Sequence, residues 1–212
     1  MPLLATARFH TTVAAVQQLP RDGLPEVAFV GRSNAGKSSA INVLCQRRRL
    51  AFASRTPGRT QALNYFAVGP PDRPIGFLVD TPGYGYASAP LETKRRWDGL
   101  AGAYLRDRAA LAGVVLLLDI RRGITALDET LIGWVPGRVR LAVTLTKADK
   151  LGRQGQLHAL RSVREALTSL RGQPADTVLT FSALSRAGGD ELARMVENWL
   201  DAGAQSGGVP TR

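Results

Sequence analysis

The sequence is poor in cysteine and histidine, the side chains that form disulfides and most often hold transition metals. Its 212 residues include one cysteine, Cys45, and two histidines, His10 and His158. A single cysteine excludes an internal disulfide and favours a reducing compartment. Cys45 follows the apolar stretch AINVL in a predicted helix, so we expect it to pack in the core. Both histidines are distant in sequence from every motif described below, and we predict a catalytic role for neither.

Long hydrophobic runs are missing as well. The longest, LAGVVLLL at 111–118, is too short to span a bilayer and predicts a buried strand. The N-terminal segment MPLLATARFHTTVAAVQQLP contains Arg8 and no acid, but it lacks a continuous apolar stretch of secretory length. The sequence therefore predicts a cytoplasmic protein without membrane insertion, with a transit peptide as the alternative.

Acidic residues are few compared with basic ones. The chain has 17 aspartates and glutamates against 28 lysines and arginines, which gives a net charge of +11. Such a field favours a polyanionic partner, either nucleic acid or an anionic membrane surface, although basic residues can also serve only for solubility. The hydrophobic content of 44% excludes disorder as the main state of the chain.

What is present is a regular alternation of strand and helix patterns. Short apolar runs that predict strands stand at 26–30, 62–68, 75–80, 113–120, 140–147 and 177–183. Helical spacing lies between them, from Lys37 to about Arg47, over 91–110, over 127–135, from Leu160 to Leu170 and from Leu192 to Leu200. The alternation predicts an α/β domain with a mostly parallel central sheet and helices on both faces. We expect residues 24–201 to form this domain, 1–23 an N-terminal extension packed on it, and 202–212 a flexible tail.

The helix predicted over 91–110, LETKRRWDGLAGAYLRDRAA, carries one apolar stripe. Its members are Trp97, Leu100, Ala101, Tyr104 and Leu105. Aromatic side chains can form a platform on which bases stack, but spacing along one face of a helix favours core packing. We therefore expect this stripe to be buried.

The strongest motif is GRSNAGKSS at 31–39, which matches the phosphate-binding loop pattern G-x-x-x-x-G-K-[ST] from Gly31 to Ser38. It stands between a predicted strand and a predicted helix, where backbone N–H groups and a helix N-terminus can cradle phosphates. We predict that Lys37 reaches the β- and γ-phosphates of a nucleotide and that the Ser38 hydroxyl ligates Mg²⁺. The other residues of the predicted loop are Arg32, Ser33, Asn34, Ala35 and Gly36.

A second motif, DTPG at 80–83, ends the predicted strand IGFLV. Here we expect Asp80 to hold Mg²⁺ through a water and the Gly83 N–H to meet the γ-phosphate. Between the two motifs lies RTPGRTQ at 55–61, in which Thr60 is predicted to complete the Mg²⁺ coordination, with Thr56 as the alternative. Such a loop would be ordered by the γ-phosphate and Mg²⁺. The alternative interpretation is an arginine-rich surface loop.

The segment TKAD at 146–149, after the predicted strand RLAVTL, indicates guanine as the base. A carboxylate at Asp149 can accept hydrogen bonds from guanine N1–H and the 2-amino group, whereas adenine would leave it unpaired. The Lys147 stem can lie along the base, and FSA at 181–183 offers backbone N–H groups to guanine O6. An aspartate at a strand end can also be a helix N-cap, but several such motifs in this order predict a GTP-binding domain.

Together, GRSNAGKSS, TPGRTQ, DTPGYGYA, DIRRG…LD, TLTKADK and FSAL resemble the EngB (YihA/YsxC) family of bacterial ribosome-biogenesis GTP-binding proteins, from about residue 8 to residue 200. The resemblance implies a Ras-like P-loop GTPase fold and Mg²⁺-dependent binding of GTP and GDP. It also implies a role in assembling the large ribosomal subunit, with rRNA and ribosomal proteins as partners of a monomer, and a link to cell division and septation.

The resemblance also assigns residues to the site. Ser38 and Thr60 become Mg²⁺ ligands, and Lys37, Thr60 and Gly83 are expected to take part in hydrolysis. Beyond Gly31–Ser38, the implied nucleotide contacts are Gly58, Arg59, Thr60, Gln61, Ala62, Asp80, Thr81, Pro82, Gly83, Thr146, Lys147, Ala148, Asp149, Phe181, Ser182 and Ala183.

Tyr84 stands where Ras-type switches carry a water-positioning glutamine, so the group that activates water is open. A partner can insert it, a K⁺ ion can supply it at Asn34, which matches a K⁺-ligating position in several related GTPases, or the intrinsic rate is simply low. We expect slow hydrolysis raised by the assembling ribosome, whose RNA suits the basic clusters at 46–50, 55–59, 94–96 and 121–122. The alternatives are a ribosome- or RNA-binding module that uses GTP with little turnover, a P-loop ATPase or kinase, and a membrane-surface septation factor.

Overall fold

A seven-stranded sheet runs through the part of the chain that the computed structural model describes, which is residues 2–52, 62–85, 98–172 and 177–206. The strands are β1 (Arg8–Val13), β2 (Glu26–Gly31), β3 (Leu63–Val68), β4 (Gly76–Asp80), β5 (Leu111–Asp119), β6 (Arg140–Thr146) and β7 (Val178–Thr180). Their order across the sheet is β1-β3-β4-β2-β5-β6-β7.

Most of the sheet is parallel. Strand β2 pairs with β4 and β5, and β5, β6 and β7 follow in parallel register. Strands β3 and β4 form an antiparallel hairpin, because the short GPPDRP connection at 69–74 lets the chain turn straight back. These pairings confirm the predicted α/β class and its mostly parallel sheet.

Helices cover both faces of the sheet, as predicted. Successive residues of β2 belong to two separate cores, since Ala28 and Val30 pack in one and Val27 and Phe29 in the other. The first core includes residues of α2 (Ala103–Asp107), α3 (Ala126–Trp134) and α4 (Arg153–Arg171), and the second includes residues of α1 (Lys37–Leu44) and α5 (Gly189–Ser206). None of the helices within the described ranges combines the length and apolarity that crossing a membrane requires.

Helix α1 ends at Leu44, earlier than the predicted end near Arg47. Gln46 adopts a left-handed backbone with φ of 52°, and its N–H donates to Val43 O at 3.1 Å. The next N–H, of Arg47, donates to Asn42 O at 2.9 Å. This pair of bonds closes the helix with a Schellman motif, formed here without the usual glycine.

The helix predicted over 91–110 is also shorter at its C-terminus. It ends at Asp107, preceded by a π-helical turn over Asp98–Gly102, and residues 86–97 lie outside the described part. The backbone of Arg108 is extended with ψ of 109°, which turns the chain towards β5. Of the predicted stripe, Leu100, Ala101, Tyr104 and Leu105 are buried, so the core interpretation is confirmed for these members.

The C-terminal half of the chain shows three further differences. Strand β7 is limited to Val178–Thr180, because Ser182 N–H turns away to Ala187 O at 3.0 Å. Helix α4 begins at Arg153, earlier than the predicted Leu160, and its Leu170 is 43% exposed, unlike Val163 and Leu167. Helix α5 continues to Ser206, although the tail was expected from residue 202.

The extension of α5 has a packing reason. A Cβ at Gly203 would lie 2.5 Å from the Cβ of Pro25, so glycine at this position lets the helix approach the start of β2 closely. Residues 201–206, DAGAQS, include no large apolar side chain, but close contact between elements requires small residues as well as large ones.

Strand β1 was not predicted. Its residues RFHTTV give a mixed pattern in which only Val13 is buried, because β1 forms the edge of the sheet and, among the described residues, pairs only with β3. The register shifts between Phe9 and Thr11, which is a β-bulge beside His10. The N-terminal segment therefore adds an edge strand to the sheet, and Leu4 and Ala7, which precede β1, are buried in the second core.

One buried carboxylate ties several elements together at the edge of the sheet where β2 begins. Glu26 is fully buried and accepts hydrogen bonds from the hydroxyls of Tyr104 at 2.8 Å and Tyr65 at 3.2 Å. The guanidinium of Arg108 donates to the other oxygen, and it also donates to Pro20 O at 2.7 Å. Burial, together with the Glu26 charge, raises the pKa of Tyr104 well above its ordinary value. A buried charge needs this many partners to be tolerated.

Candidate nucleotide-binding site

Four of the predicted motifs meet at one edge of the sheet. The loop at 31–38 follows β2, DTPG follows β4, TKAD follows β6 and FSA follows β7. These strands are parallel, so their carboxyl ends lie together at the edge where open α/β sheets bind ligands. Motifs that are far apart in the sequence therefore line a single cleft.

The backbone of the phosphate loop depends on its two glycines. A Cβ at Gly31 would lie 2.5 Å from Leu117 O, so only glycine allows β2 to pass β5 at this point. Gly36 has φ of 96° and is the N-cap of α1, and Asn34 also has a left-handed backbone with φ of 62°. Ala35 is buried, and its N–H donates to Arg32 O at 3.0 Å. The loop thus places the N-terminus of α1 at the bottom of the cleft, as an anion site requires.

Lys37, Ser38 and Asp80 face one another across this cleft. The Lys37 ammonium donates to Gly31 O at 3.3 Å, and the Ser38 hydroxyl lies 3.4 Å from Asp80 Oδ2. Asp80 is buried, and among the described residues its Oδ1 has no hydrogen-bond partner. The sequence prediction placed these three side chains together, and the geometry brings them together.

The electrostatics of this trio fit a magnesium–phosphate pair. Burial raises the pKa of Asp80 to about 6, although the nearby Lys37 charge acts in the opposite direction. Burial likewise lowers the pKa of Lys37 despite the neighbouring Asp80. A cation near Asp80 and an anion near Lys37 would relieve both desolvation costs. One carboxylate and one hydroxyl leave most Mg²⁺ positions to phosphate and water oxygens, which is how proteins usually hold this ion.

The DTPG turn is fixed against the phosphate loop. Thr81 is buried, and its hydroxyl donates to Phe29 O at 3.0 Å. Beyond Pro82, a Cβ at Gly83 would lie 2.9 Å from Ser33 Cα and 3.1 Å from Lys37 Nζ. Glycine is therefore required here for backbone to approach backbone, and the approach leaves Gly83 beside the lysine.

The TKAD and FSA segments form one half of the cleft, which we call the base half, and the loop at 31–38 with the DTPG turn forms the other, the phosphate half. The Thr146 hydroxyl donates to Ala35 O at 2.7 Å, so this threonine joins the base half to the phosphate half. Ala148 N–H donates to Phe181 O at 3.1 Å, and the Ser182 hydroxyl donates to Asp149 Oδ1 at 2.6 Å. The Ser182 bond lowers the pKa of Asp149. Asp149 is exposed and ionised at neutral pH, as a carboxylate that pairs with guanine N–H groups must be; Ala183 is exposed beside it.

Asp119 is a part of this region to which the sequence analysis gave no role. It ends β5, and its Oδ2 accepts hydrogen bonds from Lys147 Nζ at 2.9 Å and from Arg121 at 2.6 Å. The Arg121 bond, followed by that of Lys147, holds the pKa of Asp119 far below its usual range. Lys147 has a left-handed backbone with φ of 58°, and Asp119 anchors its side chain beside the base half. An aspartate at the end of an apolar strand, as at Asp80, was the available signal.

The side chain of Tyr84 is buried and bonded to the start of α3, whereas its backbone is paired with the phosphate loop. Its hydroxyl donates to Asp128 Oδ1 at 2.5 Å, and burial raises its pKa well above the ordinary value. Asp128 Oδ2 accepts from the Thr125 hydroxyl at 2.6 Å and from Thr125 N–H at 2.8 Å, which caps α3. Arg32 donates to the Thr125 hydroxyl at 3.3 Å, and Ser33 N–H donates to Tyr84 O at 2.9 Å. We call the contact of Tyr84 with the cap of α3 the Tyr84 latch.

Several predicted residues lie outside the described part of the chain. These are Thr56, Gly58, Arg59, Thr60 and Gln61, the basic clusters at 55–59 and 94–96, and Trp97. Ala62, the last residue of the predicted loop, is half-buried directly before β3. Cys45 is buried, and burial raises the pKa of its thiol to about 12, in agreement with its predicted place in the core.

Comparison with known proteins adds a family. A family model described as 50S ribosome-binding GTPase matches residues 26–147. A probable GTP-binding protein EngB from Burkholderia ambifaria is 51% identical over 202 residues, covering 93% of this chain and 92% of that protein. The corresponding protein from Burkholderia multivorans is 50% identical with the same coverage.

Solved structures agree on the fold. A crystal structure of a probable GTP-binding protein engB matches with a TM-score of 0.59 at 18% identity, covering 84% of this chain and 99% of that one. Era in complex with MgGDPNP and nucleotides 1506–1542 of 16S ribosomal RNA matches with a TM-score of 0.63 at 22% identity, covering 83% of this chain and 56% of that one. At such identities the likeness concerns the fold alone, which is that of Ras-like GTPases.

Proposed function

Because the chain belongs to the EngB family of GTP-binding proteins, we propose that it is a Mg²⁺-dependent, slowly hydrolysing GTP switch. It acts in the cytoplasm during assembly of the large ribosomal subunit, and normal division and septation depend on it. The observation that carries this proposal is the meeting, at one sheet edge, of Asp149 with the desolvated trio Lys37, Ser38 and Asp80.

Each half of the cleft has its own task. Asp149, oriented by Ser182, accepts the N1–H and 2-amino protons of guanine, and the Lys147 stem borders the base. Within FSA, Ala183 is the residue that offers its N–H to guanine O6, because the N–H groups of Phe181 and Ser182 donate to Leu145 O and Ala187 O. The phosphate half binds through Lys37 and the backbone of Gly31–Ser38. The Gly83 N–H detects the γ-phosphate, because its turn already lies against Ser33 and Lys37.

Magnesium, when bound, neutralises charge that develops on the β- and γ-phosphate oxygens. Ser38 would ligate it directly, and Asp80 would hold it through a water. Thr60 is proposed as the further ligand from the 55–61 loop. The orphaned Oδ1 of Asp80 is the observation that supports this arrangement.

The Tyr84 latch supports slow intrinsic hydrolysis. A tyrosine whose hydroxyl is committed to Asp128 does not orient a water at the γ-phosphate. We propose that the assembling ribosome supplies the missing group, an effect worth about 10³- to 10⁵-fold where an inserted arginine does it. A K⁺ ion bound at Asn34 is the second candidate for the missing group, and Asn34 is exposed in the phosphate loop.

The test is single-turnover GTP hydrolysis by the full chain, in KCl, with and without purified large ribosomal subunits. Small subunits at equal RNA concentration serve as the matched polyanion control. We expect stimulation by large subunits only. GTP-dependent binding to large subunits without stimulation would instead support the alternative function, a ribosome-binding module with little turnover.

The role of potassium is tested by comparing the rate of GTP hydrolysis in KCl with the rate in NaCl at matched ionic strength. Asn34→Gly removes the side chain and keeps the left-handed backbone accessible, so a loss of K⁺ dependence in this variant would identify the ligand. Equal rates in KCl and NaCl would reject the cation.

A further inference from the structure

A groove of about 460 Å³ lies on the opposite edge of the sheet from the nucleotide site. Its rim carries Arg138 and Arg140 from the segment that enters β6, and Arg171 with Leu170 from the last turn of α4; its floor is made by Ile132, Val135 and Val139. We call this feature the arginine groove. The three floor residues are buried, whereas Arg138 and Arg140 are exposed.

The arginine groove is separate from the site already described. Arg140 is the first residue of β6, and Thr146, the last, contacts the phosphate loop through Ala35 O. A strand rises about 3.3 Å per residue, which puts the two ends roughly 20 Å apart. A ligand in the arginine groove therefore touches neither the base half nor the phosphate half of the nucleotide cleft.

The charge of the groove favours an anion. Its lining contains three arginines and one acid, Glu129. Parts of the rim are positioned by backbone contacts, since Arg171 donates to Val135 O at 3.0 Å and Arg138 to Arg108 O at 3.4 Å. Arginine combines a planar, permanently charged fork for phosphate with a flat face on which bases stack.

The shape of the groove selects among anions. Its apolar floor is recessed below a charged rim, whereas membrane-binding faces present protruding apolar side chains to the lipid. A volume of about 460 Å³ lies within the range of roughly 300–1,000 Å³ typical of small-molecule sites, which suits one unpaired nucleotide but not a duplex. Unpaired bases of RNA are the ones that can be splayed out into such sites.

We propose that the arginine groove binds single-stranded RNA, with one unpaired base against the apolar floor and Leu170, and with phosphates on Arg138 and Arg140. The proposal rests on the proposed function, in which a ribosomal particle is the partner. It adds which surface of the chain contacts the RNA and that the contacted RNA is single-stranded. The nucleotide cleft and the RNA surface then lie at opposite ends of β6.

The first experiment compares two charge reversals of equal size. Arg138→Glu with Arg140→Glu changes the net charge by the same amount as Arg161→Glu with Arg194→Glu, and all four arginines are exposed. Arg161 and Arg194 lie outside the groove and outside the basic clusters expected to face RNA. Binding of a fluorescein-labelled, mixed-sequence single-stranded RNA to the full chain is followed by anisotropy at several KCl concentrations. Nucleotide affinity and thermal unfolding, which both variants should retain, report on folding.

We expect the groove variant to weaken RNA binding at least tenfold and the control pair to weaken it much less. Two lost phosphate contacts should also reduce the slope of log affinity against log salt by about 1.4 for single strands. Equal losses in the two variants would overturn the proposal, because only the overall charge would then matter. Displacement of the RNA by a polyglutamate peptide as efficiently as by unlabelled RNA would overturn the assignment to nucleic acid.

The second experiment tests the base contact without changing charge. Leu170 and Leu157 are exposed leucines of the same helix, at 43% and 49%, and only Leu170 lines the groove. We expect Leu170→Ala to weaken single-strand binding by about fivefold, through lost apolar contact, and Leu157→Ala to leave it unchanged. Equal behaviour of the two variants would overturn the placement of a base in the groove.

Failure of this proposal is distinguishable from failure of the proposed function. If the wild-type chain binds large subunits and the Arg138/Arg140 variant binds them equally well, the groove assignment is wrong and the proposed function stands. If the wild-type chain neither binds large subunits nor is stimulated by them, the proposed function is wrong.

Discussion

Removal of one hydroxyl should test the Tyr84 latch. Tyr84→Phe deletes the donor that lies 2.5 Å from Asp128 Oδ1, while the ring can keep its place in the core. Hydrogen bonds to charged groups contribute about 1.5–3 kcal/mol, and Asp128 is fully buried, so water cannot replace the donor. For a chain of this size, such a loss lowers the melting temperature by roughly 3–12 °C.

A double-mutant cycle isolates the contact. Asp128→Ala removes both the latch acceptor and the cap of α3, and loss of the cap alone costs about 0.5–2 kcal/mol. Urea unfolding of the single variants and of Tyr84→Phe/Asp128→Ala gives the coupling energy, which we expect to exceed about 1 kcal/mol. Additivity within about 0.5 kcal/mol would refute the latch. So would a Tyr84→Phe variant of unchanged stability whose single-turnover hydrolysis is slower, since the hydroxyl would then act on the reaction.

Three further predictions concern the cleft and the core. Asp149→Asn replaces one of the two acceptor oxygens by an NH₂ donor that faces a guanine N–H group, so fluorescence titration should show GTP affinity lowered at least about 100-fold; an unchanged affinity would contradict the guanine assignment. The pKa of Asp80 is raised to about 6, so below that pH its carboxyl is protonated while an ordinary aspartate is still charged. The Mg²⁺ concentration needed to retain GTP should therefore rise by up to about tenfold per pH unit below 6. Asp80→Asn should remove this pH dependence. A Cβ at Gly113 would lie 2.1 Å from the Trp199 ring, so Gly113→Ala should cost about 1–3 kcal/mol in urea unfolding, whereas Gly133→Ala, with open space around it in α3, should not destabilise.

Local chemistry explains what the sequence predicted well. The loop at 31–38 needs glycine where the backbone is left-handed or closely packed, and a helix begins directly after it. Its conformation can therefore be predicted from residues that are close together in the sequence. Continuous apolar runs predict buried parallel strands for a similar reason, because burial on both faces leaves no polar alternation. Since parallel strands end at one edge, the gathering of Lys37, Asp80 and Asp149 followed from the order of the motifs.

Contacts between distant segments were not predictable in the same way. Nothing near Tyr84 in sequence indicates Asp128 as its partner, and nothing near Glu26 indicates Tyr104 and Arg108. Such pairs depend on how helices are placed on the sheet, and a residue pattern defines a buried face without naming what packs against it. The π-helical turn before α2 and the edge position of β1 also depend on packing between distant segments, so the local sequence did not predict them.

The sequence by itself determined the phosphate loop, the base-recognition segments and the α/β class, because each depends on backbone conformation, side-chain chemistry or periodicity within a few residues. Tertiary structure alone decided that Asp119 anchors Lys147, that Tyr84 turns into the core, and that Arg138 and Arg140 share a groove with Leu170. These features join residues that are far apart along the chain, and only the packing of whole elements fixes the distances between them.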